Sequence, residues 1–203
     1  MYVDAAKGFT QQGAGHLAAP ASGTALGQLI ADSQLAGSQG AGAQIALTNP
    51  FGVRAPLVPG VDGAVKYGDI YAVQPFGNTL ITQSLTGAEL TAVLEQGFDA
   101  NGPVQALIPS AGLTYRYDLL RPIGARVFEL TFNGRPVDSA ALYRVTTNNF
   151  LAQGGDSFSL LAAQRSAVTG GTDLEALQAW LEAVPLRAVP IEPRAVEMQR
   201  ADR

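Results

Sequence analysis

Residues 79–98, TLITQSLTGAELTAVLEQGF, carry the signals of a strand that runs directly into a helix. Apolar and β-branched residues alternate with polar ones over residues 79–85, a pattern typical of a strand. Thr86 and Glu89 stand at the spacing of a capping box, which starts a helix. Apolar residues then recur at helical spacing as far as Phe98. The stretch therefore predicts a strand and an amphipathic helix joined without a loop.

Similar signals lie on both sides of this stretch. Helical periods are found at residues 25–36, 66–74, 157–163 and 172–184. Strand patterns are found at residues 44–48, 113–117, 126–132, 135–137, 142–147 and, as a last edge strand, within 193–200. The Asn133-Gly134 pair between two of these strands is a strong hairpin-turn signal. Because strands and helices mix without a strict βαβ repeat, we predict an α+β fold, a single domain with a mixed β-sheet flanked by helices.

The predicted domain spans residues 24–200. Residues 1–23 are rich in Gly, Ala and Gln without a clear period, and they are predicted to form a linker or arm. We expect His16 in this arm to be solvated. The residues after Met1 also lack the basic end and apolar stretch of a signal peptide.

Composition argues against several classes of function. The formal charge of −4 comes with no Lys/Arg cluster that could follow a phosphate backbone, so nucleic acid is an unlikely partner. No apolar run approaches the ~20 residues of a membrane span. The chain has no cysteine and one histidine, His16, whereas zinc and two-metal hydrolase sites normally use several imidazoles. We therefore predict no catalytic residue and no metal site or other cofactor in this chain.

Three loops combine a phenylalanine with amides and helix breakers. They are residues 49–54 (NPFGVR), 74–78 (QPFGN) and 148–156 (NNFLAQGGD). The first follows a predicted strand, a position where ligands are commonly met in α/β architectures. In the other two, Phe76 and Phe150 lie outside any apolar period. Two such aromatic faces could clamp a planar heterocycle, and stacking of this kind is worth about 1–3 kcal/mol per base.

Each of these residues also has a simpler interpretation. A phenylalanine in a loop commonly pins the loop to the core, and Gly-Gly-Asp is most often a turn with Asp156 as the N-cap of a helix. A surface salt bridge is the usual role of an arginine such as Arg54. An asparagine before proline, as at Asn49, is normally a turn residue. The residues alone leave these alternatives open.

In their order along the chain, the loops resemble the C-terminal, substrate-binding domain of the 5′-nucleotidase and UDP-sugar hydrolase family. The similar segments are residues 26–32 (LGQLIAD), 49–54 (NPFGVR), 67–69 (YGD), 75–78 (PFGN), 85–87 (LTG) and 149–158 (NFLAQGGDSF). The resemblance implies a 5′-nucleotidase C-terminal-like fold. It also implies that Phe76 and Phe150 stack on a base and that Asp156 binds ribose hydroxyls. Asn78 and Asn49 would contact the nucleoside, Arg54 would face the phosphate, and Gly112 would be a backbone contact near the base.

The resemblance further implies a larger parent protein. An N-terminal metallophosphoesterase domain with two divalent metal ions would carry the chemistry, and the parent would be a periplasmic, secreted or cell-surface hydrolase. This chain alone would then be inactive. It departs from the family pattern at Pro50 and Phe51, where known members have glycines, and it lacks an arginine near Pro20. The alternatives are a stand-alone nucleoside-binding module and a structural domain with a degenerate site.

Overall fold

Strands and helices alternate along the chain in the computed structural model, which describes residues 13–19, 21, 23–99 and 102–198. The helices are α1 (Gly23–Gly37), α2 (Tyr67–Val73), α3 (Gly87–Gln96), α4 (Asn149–Ala152) and α5 (Asp173–Glu182). The strands are β1 (Gly13–His16), β2 (Ile45–Thr48), β3 (Ala64–Lys66), β4 (Thr79–Thr86), β5 (Ile108–Pro109), β6 (Leu113–Tyr117), β7 (Val127–Phe132), β8 (Arg135–Pro136), β9 (Leu142–Asn148), β10 (Val168–Thr172) and β11 (Ala195–Glu197). The α+β prediction is confirmed.

The strand and helix predicted from residues 79–98 are β4 and α3. Thr86 Oγ1 accepts from the backbone N–H of Glu89 at 3.2 Å, and a carboxylate oxygen of Glu89 accepts from the backbone N–H of Thr86 at 2.8 Å. These reciprocal bonds satisfy two N–H groups that a helix start otherwise leaves unpaired. The capping box predicted from the sequence is therefore confirmed.

The central sheet has the strand order β10-β4-β9-β2-β5. β9 and β2 run parallel, whereas β4 runs antiparallel to β9, with Leu80 opposite Asn148. The mixed sheet predicted from the sequence is thus confirmed. Because of these directions, the ends of β2 and β9 and the start of β4 lie at the same edge of the sheet. All three predicted binding loops begin or end at this edge.

Apolar side chains form two separate core clusters. One unites α3 and the central strands with β6 and β7, and its largest fully buried members include Phe98, Tyr115 and Phe158. The other lies between α1, α2 and α5 and includes Leu26, Leu29, Ile70, Leu177 and Leu181. The helical periods predicted from the sequence supply these buried faces.

A second sheet has the order β11-β6-β7-β8, and β11 is the edge strand predicted within residues 193–200. The residue just before β11 is held by α1. Arg194 bonds both carboxylate oxygens of Asp32 at 2.7 and 2.8 Å, and its backbone N–H donates to Gln28 Oε1 at 2.8 Å. Gln28 and Asp32 of the family-like segment 26–32 therefore serve the fold by holding the C-terminal segment.

The structure differs from the prediction at the N-terminal arm. Residues 13–16 form β1, which pairs with β3, and Ala14 and Leu17 are buried in the helical core cluster. The part of the predicted arm that the structure describes is thus packed from residue 13 onward, while residues 1–12, 20 and 22 lie outside the described residues. The sequence does not reveal this strand, because β1 is only four residues long and consists mostly of glycine and alanine, which give no clear apolar and polar alternation. His16 is exposed, as expected of a solvated side chain.

A second difference concerns residues 155–163, where a helix was predicted from residue 157. Two short 3-10 turns, Gly155–Ser157 and Ser159–Ala163, stand there instead. Asp156 and Ser157 have φ values of 53° and 70°, in the left-handed region. A right-handed α-helix cannot include two consecutive residues with left-handed φ values, so no α-helix begins at residue 157.

Candidate functional site

A pocket of about 280 Å³ lies at the sheet edge where β2 and β9 end and β4 begins. Its lining residues are Asn49, Phe51, Gly52, Arg54, Phe76, Asn78, Asn148, Phe150 and Asp156. They come from the three loops that the sequence analysis singled out. The pocket thus joins aromatic, amide, anionic and cationic side chains in one concave surface, the combination expected of a small-molecule site.

A chain of hydrogen bonds crosses the floor of the pocket. Asn148 Nδ2 donates to Asn49 Oδ1 at 3.2 Å, and Asn49 Nδ2 donates to Asp156 Oδ2 at 2.7 Å. Asn49 and Asn148 are buried, and Asn148 Oδ1 also accepts from the backbone N–H of Leu151 at the start of α4. Since both polar atoms of the Asn49 amide are engaged, its orientation is fixed, and through it that of the Asp156 carboxylate.

Asp156 does not cap a helix, so the interpretation as an N-cap is wrong. It lies inside the 3-10 turn with φ 53° and ψ 28°, a left-handed conformation that Asp tolerates better than most residues. No side-chain cap bond is found at this turn. The backbone carbonyl of Asp156 accepts from Gln105 Nε2 at 3.3 Å. The carboxylate is thereby presented at the pocket wall.

Phe76 and Phe150 are 55% and 45% exposed, so neither ring pins its loop to the core. The ring of Phe150 lies directly over Gly155, where an added Cβ would come within 2.6 Å of ring carbons. Any side chain at residue 155 would displace the Phe150 ring, so a glycine at this position is needed for the ring to pack against the backbone there. Half-exposed rings on a pocket wall are free to stack on a ligand.

Arg54 stands beside Phe76, with its guanidinium carbon 5.7 Å from the centre of the ring. Its Nη1 makes a long contact of 3.5 Å to the Phe51 carbonyl, and its backbone N–H donates to the Val73 carbonyl at 2.9 Å. Among the described residues, no carboxylate forms a salt bridge with Arg54. The guanidinium keeps donors available for an anionic group at the pocket mouth.

Asn78 is tied to a buried carboxylate. The side-chain Nδ2 of Asn78 donates to Asp173 Oδ2 at 3.2 Å, and the backbone carbonyl of Asn78 accepts from the backbone N–H of Asp173 at 2.8 Å. Asp173 is 1% exposed at the first turn of α5. Burial raises the pKa of Asp173 from 3.8 to about 6, against the opposing effect of the hydrogen bond from Asn78.

This raised pKa predicts a pH-dependent stability. Because the folded chain binds the Asp173 proton more tightly than the unfolded chain, the associated stabilisation is lost as pH rises from about 4 through 6. We expect wild type to lose about 1 kcal/mol of unfolding free energy relative to Asp173→Asn between pH 5 and pH 7. Urea unfolding of both proteins at the two pH values measures this. Equal changes in the two proteins would contradict the assignment.

The pocket contains six of the seven predicted site residues: Asn49, Arg54, Phe76, Asn78, Phe150 and Asp156. Gly112 does not line this pocket, and its role as a backbone contact near the base stays a prediction. It precedes β6 with φ 94°, and its carbonyl accepts from the backbone N–H of Asn133 at 2.8 Å. An added Cβ would come within 2.7 Å of Asn133 Oδ1. The positive φ and the close approach of Asn133, beside the paired ends of β6 and β7, account for a glycine at this position.

Three lining residues were not predicted as site residues: Phe51, Gly52 and Asn148. Phe51 was noted only as a bulky departure from the family pattern, and it is 47% exposed. A Cβ at Gly52 would come within 2.8 Å of Asn49 Oδ1. Asn148 ends a strand parallel to the one that precedes Asn49, and this shared position was the signal that could have revealed it.

The described residues contain no group of three or more His, Cys, Asp or Glu side chains that could hold a metal ion. Within the same residues, no helix has the length and apolar character needed to cross a membrane.

Comparisons with known proteins agree on one family. Residues 7–163 match the sequence model of the 5′-nucleotidase C-terminal domain. The chain is 36% identical over 185 residues to the trifunctional nucleotide phosphoesterase protein YfkN of Bacillus subtilis, covering 86% of this chain and 12% of that protein. It is 33% identical over 142 residues to the cell wall protein Lmo0130 of Listeria monocytogenes, covering 66% of this chain and 18% of that protein.

A solved structure shows the same fold. The 5′-nucleotidase precursor of Thermus thermophilus superposes with a TM-score of 0.83 at 32% sequence identity, covering 97% of this chain and 41% of that one. The chain therefore spans less than half the length of each of these relatives. The single-domain α+β architecture predicted from the sequence is confirmed by this likeness.

Proposed function

Because the chain belongs to the 5′-nucleotidase family and corresponds to its C-terminal domain, we propose that it binds the nucleoside part of a nucleotide substrate for a phosphohydrolase. The observation that carries this proposal is the pocket that Phe76 and Phe150, both about half exposed, line together with Asp156. A base stacked on the rings would replace water on two apolar surfaces at once.

Asp156 would bind the ribose hydroxyls. An ionised carboxylate only accepts hydrogen bonds, and two adjacent hydroxyls are well matched donors. One oxygen already accepts from Asn49, which holds the group in place without consuming all of its acceptor capacity. The Asp156 side chain is thus already held in one conformation before a ligand binds, which lowers the entropic cost of binding.

Arg54 would hold the phosphate at the mouth of the pocket. Its planar guanidinium can bond two phosphate oxygens at once, and no described carboxylate competes for it. Pro50 stiffens the loop and Phe51 adds bulk to it, so phosphate contacts would come from the Arg54 side chain more than from backbone N–H groups.

The hydrolytic step would belong to an N-terminal metallophosphoesterase domain of the parent protein. Two divalent metal ions there would polarise the phosphate and activate water. Support for this partition comes from the relatives, which are far longer than the chain. This chain would position the substrate, which lowers the barrier by fixing geometry. Similarity to a cell wall protein supports an extracytoplasmic or surface location for the parent.

Titration calorimetry of this chain with adenosine and with ribose tests the proposal. We expect saturable binding of adenosine at one site and far weaker binding of ribose, because the base supplies the stacking surface. Absence of adenosine binding would overturn the nucleoside-binding function and favour a structural domain with a degenerate site.

The substitution Arg54→Gln is expected to remove the preference of the chain for AMP over adenosine. Wild type should bind AMP about 3- to 10-fold more tightly, since one charge-assisted contact at an exposed site contributes roughly 1 kcal/mol. Glutamine keeps most of the length of the side chain but not its charge. Calorimetry with both ligands measures the ratio.

Arg135→Gln is the matched control for this prediction, because Arg135 is exposed in β8, in the other large sheet. It should leave the ratio of the two affinities unchanged. If Arg54→Gln retains the full preference for AMP, the phosphate contact lies elsewhere.

A further inference from the structure

The polar groups of the pocket lie at two separate places along the sheet edge. Asn49 follows β2, and Asn78 precedes β4, with β9 between these two strands. Neighbouring strands are about 4.8 Å apart, so these positions are separated by roughly 10 Å. Asp156 bonds to Asn49 and therefore belongs to the β2 side. A nucleoside whose ribose lies against Asp156 extends its base across β9 toward Asn78.

The orientation of the Asn78 amide is dictated by Asp173. An ionised carboxylate has no proton to donate, so only the Nδ2 side of the amide can face it. The observed bond from Asn78 Nδ2 to Asp173 Oδ2 agrees with this requirement. A second bond, from the backbone N–H of Asp173 to the backbone carbonyl of Asn78, holds the two residues next to each other. Among the described residues, Asn78 Oδ1 has no such partner and stays available to a ligand.

The backbone N–H groups of Asp173 and Leu174 at the start of α5 favour the ionised Asp173 carboxylate, but burial outweighs them and raises its pKa. The capping box of α5 does not use this carboxylate. Thr172 and Glu175 already form the capping box of α5, with bonds of 2.9 and 3.1 Å. Asp173 Oδ1 is buried with no hydrogen-bond partner in the described part of the chain, which makes the carboxylate costly to the fold. A costly group held against a pocket residue points to a role in the pocket.

We propose that Asp173 is a positioning residue that fixes the Asn78 amide oxygen toward the ligand, so that the pocket favours a base bearing an amino group on its outer edge. The inference rests on the proposed nucleoside-binding function. An amino group of the base can donate to Asn78 Oδ1. A carbonyl oxygen at the same position of the base cannot, because it and Asn78 Oδ1 are both acceptors, and each would lack a hydrogen bond. Asp173 itself does not touch the ligand.

The experiment compares adenosine with inosine, which carries an oxygen where adenosine carries its amino group. Calorimetry on wild type should give tighter binding of adenosine by about 5- to 10-fold, the effect of one hydrogen bond. Asp173→Leu removes the acceptor, frees the amide to rotate, and should bring the two affinities within about 2-fold. Asp173→Asn retains an acceptor oxygen and should keep most of the preference.

Glu175→Gln is the matched control, because Glu175 is an exposed carboxylate in the same helical turn. Thermal unfolding of every variant shows which remain folded, and the ratio of the two affinities is insensitive to a general loss of active protein. A ratio unchanged in both Asp173 variants overturns the inference while the nucleoside-binding function stands. Failure of wild type to bind either nucleoside overturns both.

Discussion

Replacing Phe150 with alanine is expected to weaken adenosine binding by the chain about 10- to 100-fold. Stacking of one base on one aromatic side chain contributes about 1–3 kcal/mol, and each 1.4 kcal/mol changes the affinity tenfold. The Phe150 ring is 45% exposed at the pocket wall, so its removal deletes ligand contact and little core packing. Titration calorimetry gives the change in affinity. In the full-length parent, the same substitution should raise KM sharply.

Two further substitutions sharpen this test. Phe150→Tyr keeps the aromatic face and should preserve the affinity within a few-fold. Phe128 is a partly buried residue of β7, and the guanidinium carbon of Arg121 lies 3.9 Å from the centre of its ring. Phe128→Ala should leave adenosine binding unchanged. If Phe150→Ala binds adenosine as tightly as wild type, the aromatic clamp is not the basis of recognition.

The substitution Asp156→Asn should weaken adenosine binding about 10- to 100-fold and leave the binding of 2′,3′-dideoxyadenosine nearly unchanged. Hydrogen bonds to a charged group are worth about 1.5–3 kcal/mol, and the dideoxy ligand cannot form them. Asparagine is the appropriate replacement because it tolerates the left-handed backbone that residue 156 adopts, with φ 53°. Calorimetry with both ligands separates ribose recognition from a change in the fold.

The matched control for this second prediction is Asp62→Asn. Asp62 is an exposed carboxylate in a turn, where it accepts from the backbone N–H of Ala64 at 3.0 Å. Asp62→Asn should leave the affinities for adenosine and 2′,3′-dideoxyadenosine unchanged. Equal losses for adenosine and its dideoxy analogue in Asp156→Asn would mean that residue 156 shapes the pocket without binding the sugar.

The family-like segments contain both site residues and residues that serve the fold. In 67–69, Asp69 accepts from the backbone N–H of Lys66 at 2.8 Å and starts α2. In 26–32, Asp32 binds Arg194 and the backbone N–H of Ala111. A resemblance in sequence therefore could not tell a ligand contact from a structural bond, since each depends on what lies opposite in three dimensions.

Secondary structure was predictable where its signals are local. The β4–α3 unit contains its own alternation, capping box and apolar face, and α5 likewise begins at the capping box of Thr172 and Glu175. Four strands escaped prediction: β1, β3, β5 and β10. All four are short, and β1 and β10 also contain glycine. They exist because a neighbouring strand offers hydrogen-bond partners, which is a property of the partner and not of the segment.

By itself, the sequence determined the α+β class, the main helices and strands, and the three loops that combine a phenylalanine with amides and helix breakers. Only the tertiary structure decided which of those residues meet. It joined Asn49 to Asp156 across 107 positions, left Phe76 and Phe150 exposed in one pocket, and tied Asn78 to Asp173. It placed Gly112 next to Asn133 at the paired ends of β6 and β7, outside the pocket lining. The physical reason is one of range. Capping, periodicity and turns act within a few residues, whereas the pocket depends on strand order and on hydrogen bonds between distant segments.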